Sequence, residues 1–187
     1  IVLKHKNIRE KMTYAEELEY LATNEKRNDF IVNLLQHLDG NTLCLFQLVE
    51  KHGKPLYDQV QETITDRKTF FVYGGTDTSE RENIRGVVEN EKKSIILASY
   101  GTFSTGINIR NINNIVFSSP SKSRIRVLQS LGRGLRKTDT KSHVLIFDIA
   151  DDISHNNKRN FTLNHFSERI ALYNEQQFDY EISKVKL

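Results

Sequence analysis

The chain has 187 residues, 37% of them hydrophobic and 27% charged, with only two prolines, a composition suited to one well-cored domain with an appendage. It lacks a run of 18 apolar residues and a signal-peptide pattern at I-V-L-K-H-K, and its one cysteine, Cys44, excludes an internal disulfide and fits a reducing, cytoplasmic setting. The net charge of +3 says little alone, yet residues 119–143 gather seven Lys/Arg against one acid, Asp139, an asymmetry that favours an anionic partner.

Two helices are expected before residue 41. Thr13 with Glu16 forms a capping box that opens the first, and Asn24 caps the second, whose Phe30, Ile31, Leu34, Leu35 and Leu38 make an apolar stripe. Five strands then follow at 42–49, 69–73, 94–99, 114–118 and 143–149. Their apolar runs are continuous rather than alternating, as in parallel strands buried on both faces. Helices are expected between them at about 55–65, 80–90 and 122–137, the second opened by a capping box of Ser79 and Glu82. The link 99–113 reads as a loop with little helical character. After the sheet, Leu163, Phe166, Ile170 and Tyr173 are spaced for one more amphipathic helix.

This alternation predicts an α/β fold with three layers: a mainly parallel sheet of about five or six strands flanked by helices, plus extra N- and C-terminal helices. The expected division is a helical lead-in (1–40), a sheet domain (41–150) and a C-terminal helical extension (151–187). A start at Ile1, with Met12 the only methionine, suggests a piece of a longer protein. Cys44 and Tyr73 read as core residues, and His143 as structural or solvent-facing. Asp148, Asp151 and Asp152 read as caps and turn formers rather than a metal site.

The chemistry concentrates in two segments. In Q-S-L-G-R-G-L-R-K (129–137), Ile125, Leu128, Gly132 and Leu135 form one stripe, and Arg126, Gln129, Arg133 and Arg136 a polar stripe beside it. Guanidinium groups so placed suit bidentate phosphate contacts. In A-S-Y-G-T-F-S-T-G-I-N-I (98–109), Gly101 and Gly106 permit close backbone approach, and Ser99, Thr102, Ser104 and Thr105 offer hydroxyls to a phosphate backbone.

The first pattern, Gln129-x-x-Gly132-Arg133-x-x-Arg136, resembles the sixth motif of superfamily 2 helicases. The second resembles their fifth motif, with Asn108 where the family usually has Asp. V-Y-G-G-T-D-T-S-E-R (72–81) resembles the strand–turn–helix between motifs IV and V, and 42–46 stands in the place of motif IV. The match covers most of 41–150, so the chain resembles the second RecA-like motor domain of that superfamily.

The resemblance implies catalytic roles for Arg133 and Arg136, and nucleotide contacts from Gly106, Asn108, Gln129 and Gly132. It implies nucleic-acid contacts from Ser99, Thr102, Ser104, Gly74, Gly75 and Thr76. ATP and Mg²⁺ would bind together with a first motor domain, because neither Gly101-x-x-x-x-Gly106 nor His52-Gly53-Lys54-Pro55 completes a Walker A motif. Alone the chain would then be inactive. The closest strings resemble a branch of the family that acts on branched DNA and RNA–DNA hybrids in recombination, and the expected unit is a monomer. The alternative is a non-catalytic nucleic-acid-binding module that uses the basic helix as an electrostatic patch.

Overall fold

The computed structural model describes residues 1–6, 8, 10–104, 111–120 and 143–187. Its centre is a five-stranded, wholly parallel sheet. The strands are β2 (Thr42–Phe46), β3 (Thr69–Val72), β4 (Ile95–Ser99), β5 (Asn114–Phe117) and β6 (Leu145–Asp148), in the order β3-β4-β2-β5-β6.

Because both faces are covered, successive residues of one strand enter different cores. Leu43, Leu45, Ile96, Ala98, Ile115 and Phe117 pack on one side with Ile84 and Val88 of α4 (Thr78–Asn90). Cys44, Phe46, Ile95, Leu97 and Val116 pack on the other with α2 (Glu25–His37) and α3 (Lys54–Thr63). Burial pushes the Cys44 thiol up to about 12, so it stays a neutral core residue.

The lead-in helices start where their caps dictate. Thr13 and Glu16 exchange both bonds of a capping box at the head of α1 (Tyr14–Thr23), and Asn24 Oδ1 accepts from the Arg27 amide at the head of α2. The second expected box is not formed. The fourth helix begins two residues earlier, at Thr78, with Asp77 in the N-cap position, and Glu82 pairs with Arg85 at 3.0 Å. The strand expected over 42–49 stops at Phe46, since Val49–Gly53 winds into a π-helical turn that runs straight into α3. The link 99–113 also differs: its first residues form a short helix, α5 (Tyr100–Ser104), directly continuous with β4. The helix expected at 122–137 lies outside the described residues.

A second sheet was not expected. β1 (Val2–Lys4) lies between β7 (Ala150–Asp152) and β8 (Lys184–Lys186), all parallel. β7 leaves the carboxyl end of β6 after the single residue Ile149. The C-terminal helix, α6 (Phe161–Glu175), carries the expected stripe, and its Leu163 and Phe166 bury Val2 and Ala150. No helix among the described residues is long and apolar enough to cross a membrane.

Two of the aspartates read as caps are instead buried ion partners. Asp148 receives Arg169 through Nε (2.6 Å) and Nη2 (3.0 Å), and the Tyr173 hydroxyl donates to it as well. Asp151, with no exposed surface, receives Arg27 through Nε (2.8 Å) and Nη2 (3.0 Å), while His5 Nε2 lies 3.0 Å away. Only Asp152 keeps a turn role, accepting from the Ser154 amide at 3.1 Å.

Removing one partner of a buried pair strands the other charge. Arg27→Ala should therefore lower unfolding free energy by about 3–5 kcal/mol in chemical denaturation, and the double change Arg27→Met/Asp151→Leu should cost less. Burial alone would raise the Asp151 pKa. The Arg27 charge and the hydrogen bonds from His5 and Arg27 outweigh it and hold the carboxyl at about 2. The folded state thus binds this proton less readily than the unfolded chain. The stability it contributes is complete above about pH 5 and is lost as pH falls through 4 toward 2, measurable as an acid limb that Asp151→Asn flattens.

Candidate nucleotide and nucleic-acid interface

All five strands point their carboxyl ends to one edge of the sheet, where ligands of open α/β sheets bind. Besides Ile149 after β6, four segments leave that edge: Gln47 after β2, Tyr73–Thr76 after β3, α5 after β4, and Ser118–Pro120 after β5.

The turn after β3 is tied by its own side chain. The Tyr73 amide donates to Thr76 Oγ1 and the Thr76 amide to the Tyr73 carbonyl, both at 3.0 Å. Arg81 Nη2 reaches back to the carbonyls of Tyr73 (3.3 Å) and Gly74 (3.1 Å). Thr76 is consequently buried, and Gly74 and Gly75 form the exposed crest. The two glycines are there for different reasons. A Cβ on Gly75 would stand 2.6 Å from the Tyr73 ring, whereas one on Gly74 would meet nothing within 4 Å. Tyr73 itself leans on Phe71 with ring centroids 5.6 Å apart, in keeping with a core role.

After β4, Ser99 and Thr102 are both buried, and their hydroxyls bond each other at 2.7 Å. The Thr102 amide also donates to Ser99 Oγ at 3.4 Å. These hydroxyls organise the first turn of α5, and Gly101 between them stands exposed with open space around it. Ser104 closes this helix. Gly106, Asn108, Gln129, Gly132, Arg133 and Arg136 lie outside the described residues.

Sequence reasoning missed the knot that holds the segment after β5. Ser118 donates its amide (3.0 Å) and hydroxyl (2.8 Å) to the Leu45 carbonyl. Ser119 Oγ accepts from the Gln47 amide at 3.1 Å and bonds His52 Nδ1 at 2.9 Å, while the Tyr100 hydroxyl donates to the Ser119 carbonyl at 3.1 Å. Three of the four edge segments are thereby joined at one serine. The only sequence cue was a small polar S-S-P directly after an apolar strand.

His52 is 1% exposed, and its Nε2 has no protein partner among the described residues. Beside it, Leu18, Ala22, Gln47, Leu48, Ser119 and Pro120 help to line a cavity of about 10 Å³, the size of one water. Burial, reinforced by the nearby Arg27 charge, pulls the His52 pKa down to about 3.

Known proteins of similar sequence share this fold. A family model described as "Helicase conserved C-terminal domain" matches residues 25–138. The chain is 36% identical to the ATP-dependent DNA helicase uvsW of Enterobacteria phage T4 over 94% of its own length and 37% of that protein. It is 35% identical to the putative ATP-dependent helicase IRC3 of Saccharomyces cerevisiae, over 71% of the chain and 19% of that relative. The chain thus spans well under two thirds of the relatives it matches. The crystal structure of T4 UvsW superposes with a TM-score of 0.82 at 35% identity, covering 99% of this chain and 40% of that one. The C-terminal domain of the DEAD-box protein Dbp5 shares the fold, with a TM-score of 0.65 at 14% identity over 100% of this chain and 88% of that one.

Two outcomes are expected from this edge. Gly75→Ala should displace Tyr73 and cost about 1–3 kcal/mol, while Gly74→Ala leaves the melting temperature nearly unchanged. His52 must become protonated on acid unfolding, so its contribution is complete above about pH 6.5 and declines below it at roughly 1.4 kcal/mol per pH unit. Denaturation of His52→Gln across pH 4–7 should lack that slope.

Proposed function

The chain belongs to the helicase conserved C-terminal domain family, as the second RecA-like motor domain of a superfamily 2 helicase related to UvsW, and we propose that it supplies one half of an ATP-driven DNA motor. The observation that carries this reading is the motif Gln129-x-x-Gly132-Arg133-x-x-Arg136 inside the region matched by the family model. The relative with which it shares 36% identity is itself named an ATP-dependent DNA helicase.

In this reading ATP occupies the cleft between a first motor domain and this one. Arg133 and Arg136 contact the γ-phosphate and stabilise the charge that develops as the phosphoryl group transfers. Gly106, Asn108, Gln129 and Gly132 line the nucleotide side of the cleft. The Mg²⁺ that accompanies ATP would bind together with the first motor domain.

The nucleic-acid strand passes over the exposed carboxyl edge. Gly74 and Gly75 offer bare backbone to its phosphates, and Thr76 shapes their turn. Ser99 and Thr102, bonded to each other, set the first turn of α5, which ends at Ser104 and presents its exposed Gly101 to the strand. Opening and closing of the cleft would then move one strand past the other domain. The substrate we propose is branched DNA or RNA–DNA hybrid met in recombination and replication, handled by a monomer.

Arginines that act on a transferring phosphoryl group are worth on the order of 10³-fold or more in kcat. Arg136→Ala in the full-length protein should abolish DNA-stimulated ATP turnover and leave ATP binding largely intact. Normal turnover in that variant would remove the assignment.

A further inference from the structure

From the small sheet we infer that Lys4, Lys6, Lys184 and Lys186 form a second nucleic-acid contact, one that grips the phosphate backbone apart from the turns at 73–76 and 99–102. This rests on the helicase reading for its ligand class and extends it to a surface that none of the helicase-like motifs contains.

The register fixes the geometry. Lys4 of β1 pairs with Lys186 of β8, and Val2 pairs with Lys184, so the three lysines leave one face of the sheet. Adjacent strands lie about 4.8 Å apart and alternate residues about 6.6 Å apart along a strand, which packs three ammonium groups into a small area. Lys6 follows two residues beyond Lys4, and all four are exposed. The other face, through Leu3 and Val185, packs into the core, while on the lysine face α6 covers Val2 and leaves the lysines exposed.

Three features argue against an ordinary solvated surface. First, Lys4 stands opposite Lys186 on β8, a like-charge pair that destabilises a sheet, with one acid, Asp152, as its cross-strand neighbour on β7. Second, Lys51, Lys54, Lys68 and Lys93 each pair with a carboxylate. Lys4, Lys6, Lys184 and Lys186 have none within ion-pair distance among the described residues, and unlike the equally unpaired Lys26 and Lys92 they stand together. Third, lysines are common on edge strands as a guard against aggregation, which accounts for Lys184 and Lys186 on β8. It does not account for Lys4, which sits on the central strand.

The position suits the role. β7 continues from the carboxyl end of β6 after one residue, so this small sheet grows from the same edge as the proposed strand path. Cations in such an array bind phosphate through charge, without reading bases.

The test uses the full-length protein and a labelled DNA duplex with a single-stranded tail, titrated by fluorescence anisotropy over a range of salt. The variant K4Q/K184Q/K186Q removes the charges and relieves the like-charge contact, so it should fold as the parent does. We expect affinity to fall roughly tenfold or more near 0.1 M salt and the log–log salt slope to shrink by about 2–3. Arginine at the same positions should restore both, and ATP turnover at saturating DNA should keep its kcat. Unchanged affinity and slope in the folded variant would overturn the inference. So would an equal loss from K26Q/K92Q, which removes two exposed charges elsewhere, or intact DNA binding with lost binding of poly-glutamate, which would assign the face to an acidic protein. If Arg136→Ala retains turnover, the motor reading fails while this salt-slope result stands on its own.

Discussion

Much of what lies outside the five-stranded sheet is fastened by one carboxylate without access to water. Asp151 sits at the centre of β7, takes both bonds of the Arg27 fork from α2, and meets His5 at the end of β1. Tyr20 of α1 lies against the same histidine at 3.3 Å. The three opening elements are therefore fastened to a strand more than a hundred residues later through one charge, α1 by way of His5. A buried ion pair adds little net stability over an apolar substitute, but it penalises every arrangement in which either partner is alone. That constraint selects one position for the lead-in helices relative to the small sheet, and α1 in turn forms one wall beside His52.

A similar logic operates along the rest of the molecule. Asp148, three residues earlier, is satisfied by Arg169 and Tyr173 and so seats α6. At the opposite edge of the sheet, Arg67 donates to the carbonyls of Leu35, Leu38, Gly40 and Lys93, closing the loops at the amino ends of the strands. Asn41 does the same with its side-chain amide, which reaches the carbonyls of Val88, Glu91 and Asn111. With the amino edge locked by such bonds, the carboxyl edge carries the glycine crest and the serine knot. This division between a tied edge and a presenting edge suits a fold in which one side stays fixed while the other meets a ligand.

The large sheet was legible because strands buried on both faces leave continuous apolar runs, and the flanking helices because Thr13 and Asn24 carry their caps in sequence. The small sheet was not. Its strands are three residues long, and K-V-K has no apolar periodicity to detect. α5 hid behind small polar residues that favour turns, and its formation depends on Ser99 and Thr102 meeting at the end of a strand. The aspartates were visible as charges, but a partner 124 residues away, as Arg27 is from Asp151, leaves no local trace. For the site, the glycine turn at 74–75 could be placed from its residues, whereas the inward turn of the Ser99 and Thr102 hydroxyls required knowing what surrounds them. Nothing in the sequence pointed to the His52–Ser119 bond beyond a small polar S-S-P after an apolar strand.

The small sheet also has a temporal meaning. Two-stranded ladders of this length have no stability in isolation, and its three strands come from residues 2–4, 150–152 and 184–186. Closing a loop that spans nearly the whole chain carries a large entropic cost until the intervening structure has shortened it. Docking of β1 on β7 is therefore favoured once the main sheet has set β7 in place, and β8 has β1 as its one ladder partner among the described residues. The Leu187 amide bonds to the Lys4 carbonyl, so the pairing of β8 with β1 ties together residues far apart in this sequence and depends on the structure between them.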